Sequence, residues 1–497
     1  MTSVGDRGPG EGDWASDDNR PPDRTGWDLL VLGGGTAGLV AAKTAAGFGA
    51  SVLLVERDRL GGDCLWTGCV PSKALLSAAH AAADARAARG LGVNVDAVTV
   101  DFAAVMAHVR RAIATVEPTD SPQATRAAGV KAVHAKARFT GPDTAEVGGR
   151  TVRFRQAVVA TGAAPVLPPI PGLAEAHPHT NETIFGVGEL PGRLLVLGGG
   201  SIGCELGQAF ARLGSAVTVV EAENRLMLRE DPDAAALVTA ALIADGIDVR
   251  TGAALLRVRP EGSNWCAELA DGAEVGFDVI LVAVGRRPRT SGLGLEQAGV
   301  TMDERGFVRV DDRLRTTNPR VWAAGDVTGH PQFTHTAGVH GALVAANAVL
   351  GLRRTAEVAT TPRVTFTQPE VAAFGVRLEQ AQRRRLTITT VPHTEVDRAI
   401  AEGQTGGFTR IVLDRRGRVV GATIVSPRAG ESLPELVLAA RHGLRARDLA
   451  ASTHAYPTYG DGVWKAGIQQ VQSGLSKQAV RRIFGLLGAV RRRRMSR

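Results

Sequence analysis

Cysteine is scarce in this chain, four residues in 497. A secreted protein of this length ordinarily carries more, in a spaced framework, so a disulfide scaffold is excluded. Tyrosine is scarcer still, with two residues, Tyr456 and Tyr459. No apolar run approaches the ~18 residues that a membrane-spanning helix needs. The opening segment MTSVGDRGPGEGDWASDDNRPPDR has neither a basic n-region nor an apolar h-region, which excludes a signal peptide. Residues 1–26 therefore read as a disordered acidic tail on a cytoplasmic protein. Residues 481–497 lack any acid and carry seven Arg, whereas residues 1–27 hold six acids against three Arg. The formal net charge of +8 thus sits mostly in one short stretch. The body is close to neutral, and a nucleic-acid partner is not expected.

What is present is core-forming material, 44% hydrophobic against 22% charged residues. At ~100–200 residues per domain, the length predicts three or four domains. Order is expected from Trp27. Asp28-Leu29-Leu30-Val31-Leu32 runs into Gly33-Gly34-Gly35-Thr36-Ala37-Gly38. An Ala-rich helical stretch follows, then Ser51-Val52-Leu53-Leu54-Val55 and Glu56, 23 residues beyond the first Gly. The same parts return 165 residues later: Leu194-Leu195-Val196-Leu197, then Gly198-Gly199-Gly200-Ser201-Ile202-Gly203, a helix, Ala216–Val220 and Glu221. One GxGxxG is weak evidence. Two, each with its strand, helix and terminal acid in order, predict two dinucleotide sites. The first Gly allows the turn, the second admits a pyrophosphate, and the third lets helix pack on strand. The helix N-terminus offers free N–H groups to the phosphates, and the acid accepts from ribose hydroxyls.

Between the two units lies Gly61-Gly62-Asp63-Cys64-Leu65-Trp66-Thr67-Gly68-Cys69-Val70-Pro71-Ser72-Lys73. Two thiols five positions apart, opening a helix, suit a small disulfide and a reactive thiolate. A zinc half-site would need further ligands, and no other Cys/His cluster is visible, so no metal site is expected. Buried structural cysteines would not need the surrounding Gly, Pro and Lys. After Pro362 the texture changes. Val364–Phe366, Thr409–Leu413 and Val419–Val425 read as strands, and Glu435–His442 as an apolar-faced helix. Ala479–Val490 is a short apolar stretch ending in Arg491–Arg494. It suits a docking helix, a frayed tail, or contact with a membrane surface or anionic partner.

These motifs, with Ala160-Thr161-Gly162, Gly285-Arg286-Arg287-Pro288 and Ala324-Gly325-Asp326 in order, resemble the class I pyridine nucleotide–disulfide oxidoreductases. That family includes dihydrolipoamide dehydrogenase, glutathione reductase and mercuric reductase. The resemblance implies an α/β fold with two Rossmann-like domains, for FAD and NAD(P), plus an α+β C-terminal dimerisation domain. The implied layout is FAD domain 27–165, NAD(P) domain 166–290, a central and second FAD part 291–361, dimerisation domain 362–475 and basic tail 476–497. It also implies a homodimer whose partner completes each active site.

By resemblance, Gly33, Gly35 and Gly38 would hold the FAD pyrophosphate and Glu56 its ribose. Asp326 would meet the ribityl chain and Lys73 the flavin, with Thr161, Gly162 and Thr334 as further cofactor contacts. Gly198, Gly200, Gly203 and Gly285 would serve the nicotinamide nucleotide. Glu221 favours the free 2′-hydroxyl of NADH, while Arg225, four residues on, is placed to offset that preference. Glu205 would pair with Lys73. Cys69 would be the flavin-proximal thiol and Cys64 the interchange thiol.

The acceptor end departs from the commonest pattern, a His–Pro pair followed by an acid. Here Thr453-His454-Ala455-Tyr456-Pro457-Thr458-Tyr459-Gly460-Asp461 puts Tyr456 before the Pro and Asp461 in the acid's place. A tyrosine, pKa ~10 against ~6.5 for His, costs about 4–5 kcal/mol more to deprotonate at neutral pH. Mercuric reductases resemble this chain in having a C-terminal Tyr instead of the His. They usually carry a late Cys pair as well, and residues 470–497 hold none. The expected activity is electron transfer from NAD(P)H through FAD to Cys64–Cys69 and on to a metal ion, quinone or disulfide. The alternatives are oxidation of a dithiol, with His454 or Asp461 as base, and a flavin-based redox sensor. Aromatic packing at a dimer interface is the competing role for both tyrosines.

Overall fold

The computed structural model describes residues 26–475 and 478–495, so most of the expected acidic tail lies outside the described residues. The chain divides into two compact units, one of residues up to 222 plus 253–358, the other of 223–252 plus 359 onward.

In the first unit the run from Trp27 forms strand β1 (Trp27–Leu32), which leads through the Gly turn into helix α1 (Thr36–Gly47) and strand β2 (Val52–Glu56). Strand β3 (Val130–His134) pairs with β2, and strand β6 (Arg150–Val159) pairs with the other side of β1, all parallel. The strand Val321–Ala323 continues the sheet beyond β6. Strands β4 (Ala137–Gly141) and β5 (Thr144–Val147) form an antiparallel extension on β6. Both faces of the parallel part are covered, which is why β1 and β2 read as unbroken apolar runs. Leu29, Leu30, Leu53 and Leu54 are wholly buried, and each contributes about 1.5–3 kcal/mol.

The second βαβ unit repeats the pattern: strand Arg193–Leu197, helix Ser201–Leu213, strand Ala216–Glu221, with Val279–Val282 on the far side, all parallel. The likeness extends to single atoms. A Cβ on Gly38 would lie 1.8 Å from the Gly33 carbonyl oxygen, and one on Gly203 would lie 1.9 Å from that of Gly198. Gly33 and Gly198 take φ of 105° and 109°, the left-handed region that a side chain disfavours.

Helix Thr334–Leu350 packs on α1 through small residues: a Cβ on Gly341 would come within 2.4 Å of the Ala37 carbonyl oxygen. That close approach carries Thr334, at the head of the helix, toward the Gly-rich turn.

The second unit is built on an antiparallel sheet whose order is Arg363–Thr365, Glu370–Gly375, Val419–Ser426, Phe408–Leu413 and Thr387–Pro392. Its helix runs over Ala429–Arg441, six residues earlier than the apolar pattern from Glu435 indicates. Gly430 and Pro434 hide that first stretch, because both are poor helix formers. Arg410, almost fully buried, bonds Asp231 (3.2 Å) and Asp233 (3.1 Å), and Thr423 donates to Asp231 (2.9 Å). The expected tail stretch is an α-helix, Gln478–Met495.

Gly203→Ala sets its new methyl against the Gly198 carbonyl oxygen and should destabilise the protein by about 1–3 kcal/mol. Urea unfolding of the variant beside wild type checks the effect.

Candidate active site

The cysteine segment folds as a short helix α2 (Gly62–Trp66) followed by helix α3 (Cys69–Ala87). Glycines bring it against the first dinucleotide loop and back on itself. A Cβ on Gly62 would lie 2.7 Å from Gly35 Cα, and one on Gly68 would lie 2.7 Å from the Asp63 carbonyl oxygen. The result sets the Cys64 and Cys69 thiols in mutual hydrogen-bonding contact, with Cys69 the first residue of a 19-residue helix that has no side-chain cap.

That position favours a thiolate. Cys69 is brought down to about 6, chiefly by the hydrogen bond from Cys64, with help from Thr334 and from the Lys73 charge. Thr334 Oγ1 stands 3.1 Å from Cys69 Sγ, and Lys73 sits one helical turn along the same face. Cys64 moves the opposite way, because its S–H bonds the neighbouring sulfur and because it is partly buried. The geometry is a thiolate–thiol pair with charge on the exposed member, Cys69.

Lys73 Nζ donates to Glu205 Oε2 at 2.7 Å, joining α3 to the helix Ser201–Leu213. The carboxylate is buried and the ammonium half-exposed. Arg286 donates to Asp63, next to Cys64, and to the Ala163 carbonyl (2.7 Å), while Asp326 stands 3.8 Å from its Nε. Burial raises the Asp326 carboxyl above its ordinary range, and Arg286 opposes the rise. Thr161 donates to the Arg289 carbonyl (2.7 Å), and Gly162 accepts from the Arg289 N–H (2.9 Å), which ties that loop down.

Both Gly-rich loops fit a dinucleotide. Helix α1 and helix Ser201–Leu213 begin at Gly35 and Gly200, with no side-chain cap and no acid in the first turn, so their N–H groups are free for phosphate. Glu56 accepts from the Gly34 N–H at 2.6 Å and Glu221 from the Gly199 N–H at 2.8 Å. Arg286 Nε is buried without a hydrogen-bond partner beside Asp326, as a site awaiting a polar ligand would leave it.

The second unit holds the other candidates. Tyr456 is 68% exposed, and its hydroxyl donates to Asp397 at 2.6 Å. That bond lowers the Asp397 carboxyl and raises the phenol above its usual value. Lys465 links Asp397 (3.5 Å) to Asp461 (3.3 Å). Asp461 is buried and ion-paired with this lysine, and the carboxylate that accepts from Tyr456 is Asp397. His454 faces an acceptor on each side, the Ser452 carbonyl (3.0 Å) and Glu435 (2.9 Å). Tyr459 is buried in the core of this unit, and its hydroxyl donates to Glu402 (2.9 Å). Asp397 carries no sequence signal, since it lies 59 residues from Tyr456, whereas Lys465 stands four residues from Asp461.

Duplicated dinucleotide loops, one packed against a polarised thiol pair, define a two-cofactor thiol oxidoreductase. The chain belongs to the pyridine nucleotide-disulphide oxidoreductase family, whose profile matches residues 27–341, with the family's dimerisation domain matching 361–466. The family uses FAD and NAD(P)H. The chain is 38% identical over 470 residues to a mercuric reductase of Streptomyces lividans, covering 91% of this chain and 98% of the relative. It is 34% identical to a dihydrolipoyl dehydrogenase of Geobacillus stearothermophilus, covering 87% and 94%. Among solved structures it is similar to the Cu(II) complex of the HOCl-induced flavoprotein disulfide reductase RclA from Escherichia coli. That match has a TM-score of 0.79 and 27% identity, and covers 88% of this chain and 98% of that one.

Alkylation of the reduced protein should rise with pH through about 6, where the Cys69 thiol gives way to thiolate, and level off above it. Thr334→Val removes a hydrogen bond to the sulfur and should move the midpoint upward. Iodoacetamide rates across pH check this; a wild-type midpoint at the ~8.5 of an ordinary thiol would contradict it.

Proposed function

We propose that this chain is an NADH-dependent flavoprotein reductase whose Cys64–Cys69 pair delivers electrons to a soft metal ion rather than exchanging with a lipoyl dithiol. It works as a homodimer in which Tyr456 of one subunit completes the thiol site of the other. The observation that carries the reading is the absence of an available base beside Pro457. Tyr456 has its hydroxyl on Asp397 and its phenol raised, so it serves as a proton donor or ligand at neutral pH. His454 has both ring nitrogens on acceptors. A dithiol substrate needs a base to form its attacking thiolate. A metal ion bound by two sulfurs does not, and thiolates suit soft ions. The mercuric reductase relatives and the copper-bound neighbour support the same choice.

Gly33, Gly35, Gly38, Glu56 and Asp326 would hold FAD, with Lys73, Thr161, Gly162 and Thr334 around it. Gly198, Gly200, Gly203, Gly285 and Glu221 would hold the nicotinamide nucleotide. Bound FAD supplies two-electron exchange between reduced nicotinamide and a disulfide. Cys69 holds negative charge for that exchange, and the Lys73–Glu205 pair fixes a cation near it. Cys64 meets the acceptor. On closing to a disulfide the thiolate–thiol pair releases two electrons and one proton, and the electrons reduce one Hg(II) to the metal or two Cu(II) to Cu(I). NADH is preferred because Glu221 repels a 2′-phosphate. Arg225 spends its guanidinium on the carbonyls of Leu226, Met227, Leu228 and Glu230 at 3.0–3.4 Å.

The test is anaerobic NADH oxidation with Hg(II) or Cu(II) and excess small thiol, beside a lipoamide control. Metal-dependent turnover should fall by about 10²-fold or more in Cys64→Ser. Tyr456→His should raise lipoamide turnover by about 10²-fold, the worth of a placed base. Lipoamide turnover by wild type without metal turnover would replace this reading with a dihydrolipoyl dehydrogenase. Negligible turnover with every acceptor would point to a redox sensor.

A further inference from the structure

The two sulfurs are joined by a loop that cannot hold its own shape. Helix α2 has five residues, far fewer than the ~12 an isolated helix needs, and neither α2 nor α3 begins with a side-chain cap. Leu65 anchors the middle of the loop in the core. Its two ends are gripped from distant parts of the same unit. Asp63, the residue before Cys64, accepts from Arg286, and its other oxygen stands 3.8 Å from Arg289 Nη1. The carbonyl of Thr67, two residues before Cys69, accepts from Asn181 Nδ2 at 3.3 Å, and Asn181 is itself buried. Arg289 also donates to Glu182, the neighbour of Asn181, so the two grips are tied to each other. Within the loop, the Thr67 N–H donates to the Asp63 carbonyl at 2.9 Å. The electron-transfer reading gives Asp63, Asn181 and Glu182 no work.

We propose that Asp63 and Asn181 are positioning residues that clamp the thiol loop at both ends and keep the Cys64 S–H directed at the Cys69 sulfur. The proposal rests on Cys64–Cys69 as the working pair. The hydrogen bond from Cys64 is the chief cause that brings the Cys69 thiol down to about 6. Such a bond favours the charged form only while donor and acceptor keep their geometry. Loosening either end of the loop lets Cys64 drift, and the thiolate loses its donor. The other side chains that act on the two sulfurs are Thr334, Lys73 and, on Cys64, Asp120, and none of them belongs to the clamp. Charge alone would act in the opposite direction. Without the Asp63 carboxylate, Arg286 and Arg289 would stand less compensated beside the loop, which favours a thiolate. The sign of the shift therefore tells position from charge.

The test is iodoacetamide alkylation of the reduced full chain across pH, read at Cys69 by fragment mass spectrometry, for wild type, Asp63→Asn and Asn181→Leu. Both variants should move the Cys69 midpoint upward from about 6, by about one pH unit. Asn181→Leu changes no charge, so its rise cannot come from a field. Far-UV circular dichroism of the same samples separates a displaced thiol from an unfolded chain. The two variants touch opposite ends of the loop, so loss of fold in one leaves the other to decide. An unmoved midpoint in either folded variant overturns the role of that residue. A downward shift in Asp63→Asn overturns the clamp at that end and assigns the residue a charge effect instead. A wild-type midpoint at the ~8.5 of an ordinary thiol would remove the thiolate pair itself, and the working-pair reading with it.

Discussion

The contact between Gly62 and Gly35 sets the distance between the thiol segment and the first dinucleotide loop. With no Cβ on either residue, the two backbones meet closely, and everything that tunes the sulfurs is arranged around that meeting. Gly68 folds the segment back so that Cys64 reaches Cys69. Helix α3 then starts at Cys69 with its N–H groups toward the sulfur. Thr334 arrives from the other side on a helix that leans on α1 through Ala37 and Gly341. Each step is a close backbone approach, and a single methyl group would oppose most of them.

Charge near the sulfurs follows the same economy. The Lys73 charge acts on Cys69 because it lies one turn along α3, and its own position is held by the buried Glu205. Asp63, within the thiol segment, accepts from Arg286, and Arg286 faces Asp326. Acids and bases alternate through this cluster, so no single group carries an uncompensated charge into the interior.

The parts of the molecule that were legible in the sequence are those whose partners are close along the chain. The Gly-rich turns, their terminal acids and the cysteine pair each fit within a span that spacing rules can read. The strands around them were apolar because both faces are covered. Tyr456 was legible as an anomaly, but its partner was not, since Asp397 lies 59 residues away. Thr334 and Cys69 are separated by 265 residues, and only the packing of small residues between two helices joins them. Arg225 looked like a potential phosphate ligand until its four carbonyl acceptors were in view. The start of the helix Ala429–Arg441 was masked by a glycine and a proline, whose low propensity the surrounding core overrides.

Glu56 and Glu221 already grip the amides of their own Gly turns. Each loop therefore keeps its shape by a bond internal to the protein rather than by one borrowed from a nucleotide. Little ordering entropy is left to lose when a ligand enters, which is preorganisation in the plainest sense. Reloading a stripped apoprotein is then a matter of association, with the receptor already formed, and the same economy applies twice over because the loop was duplicated whole.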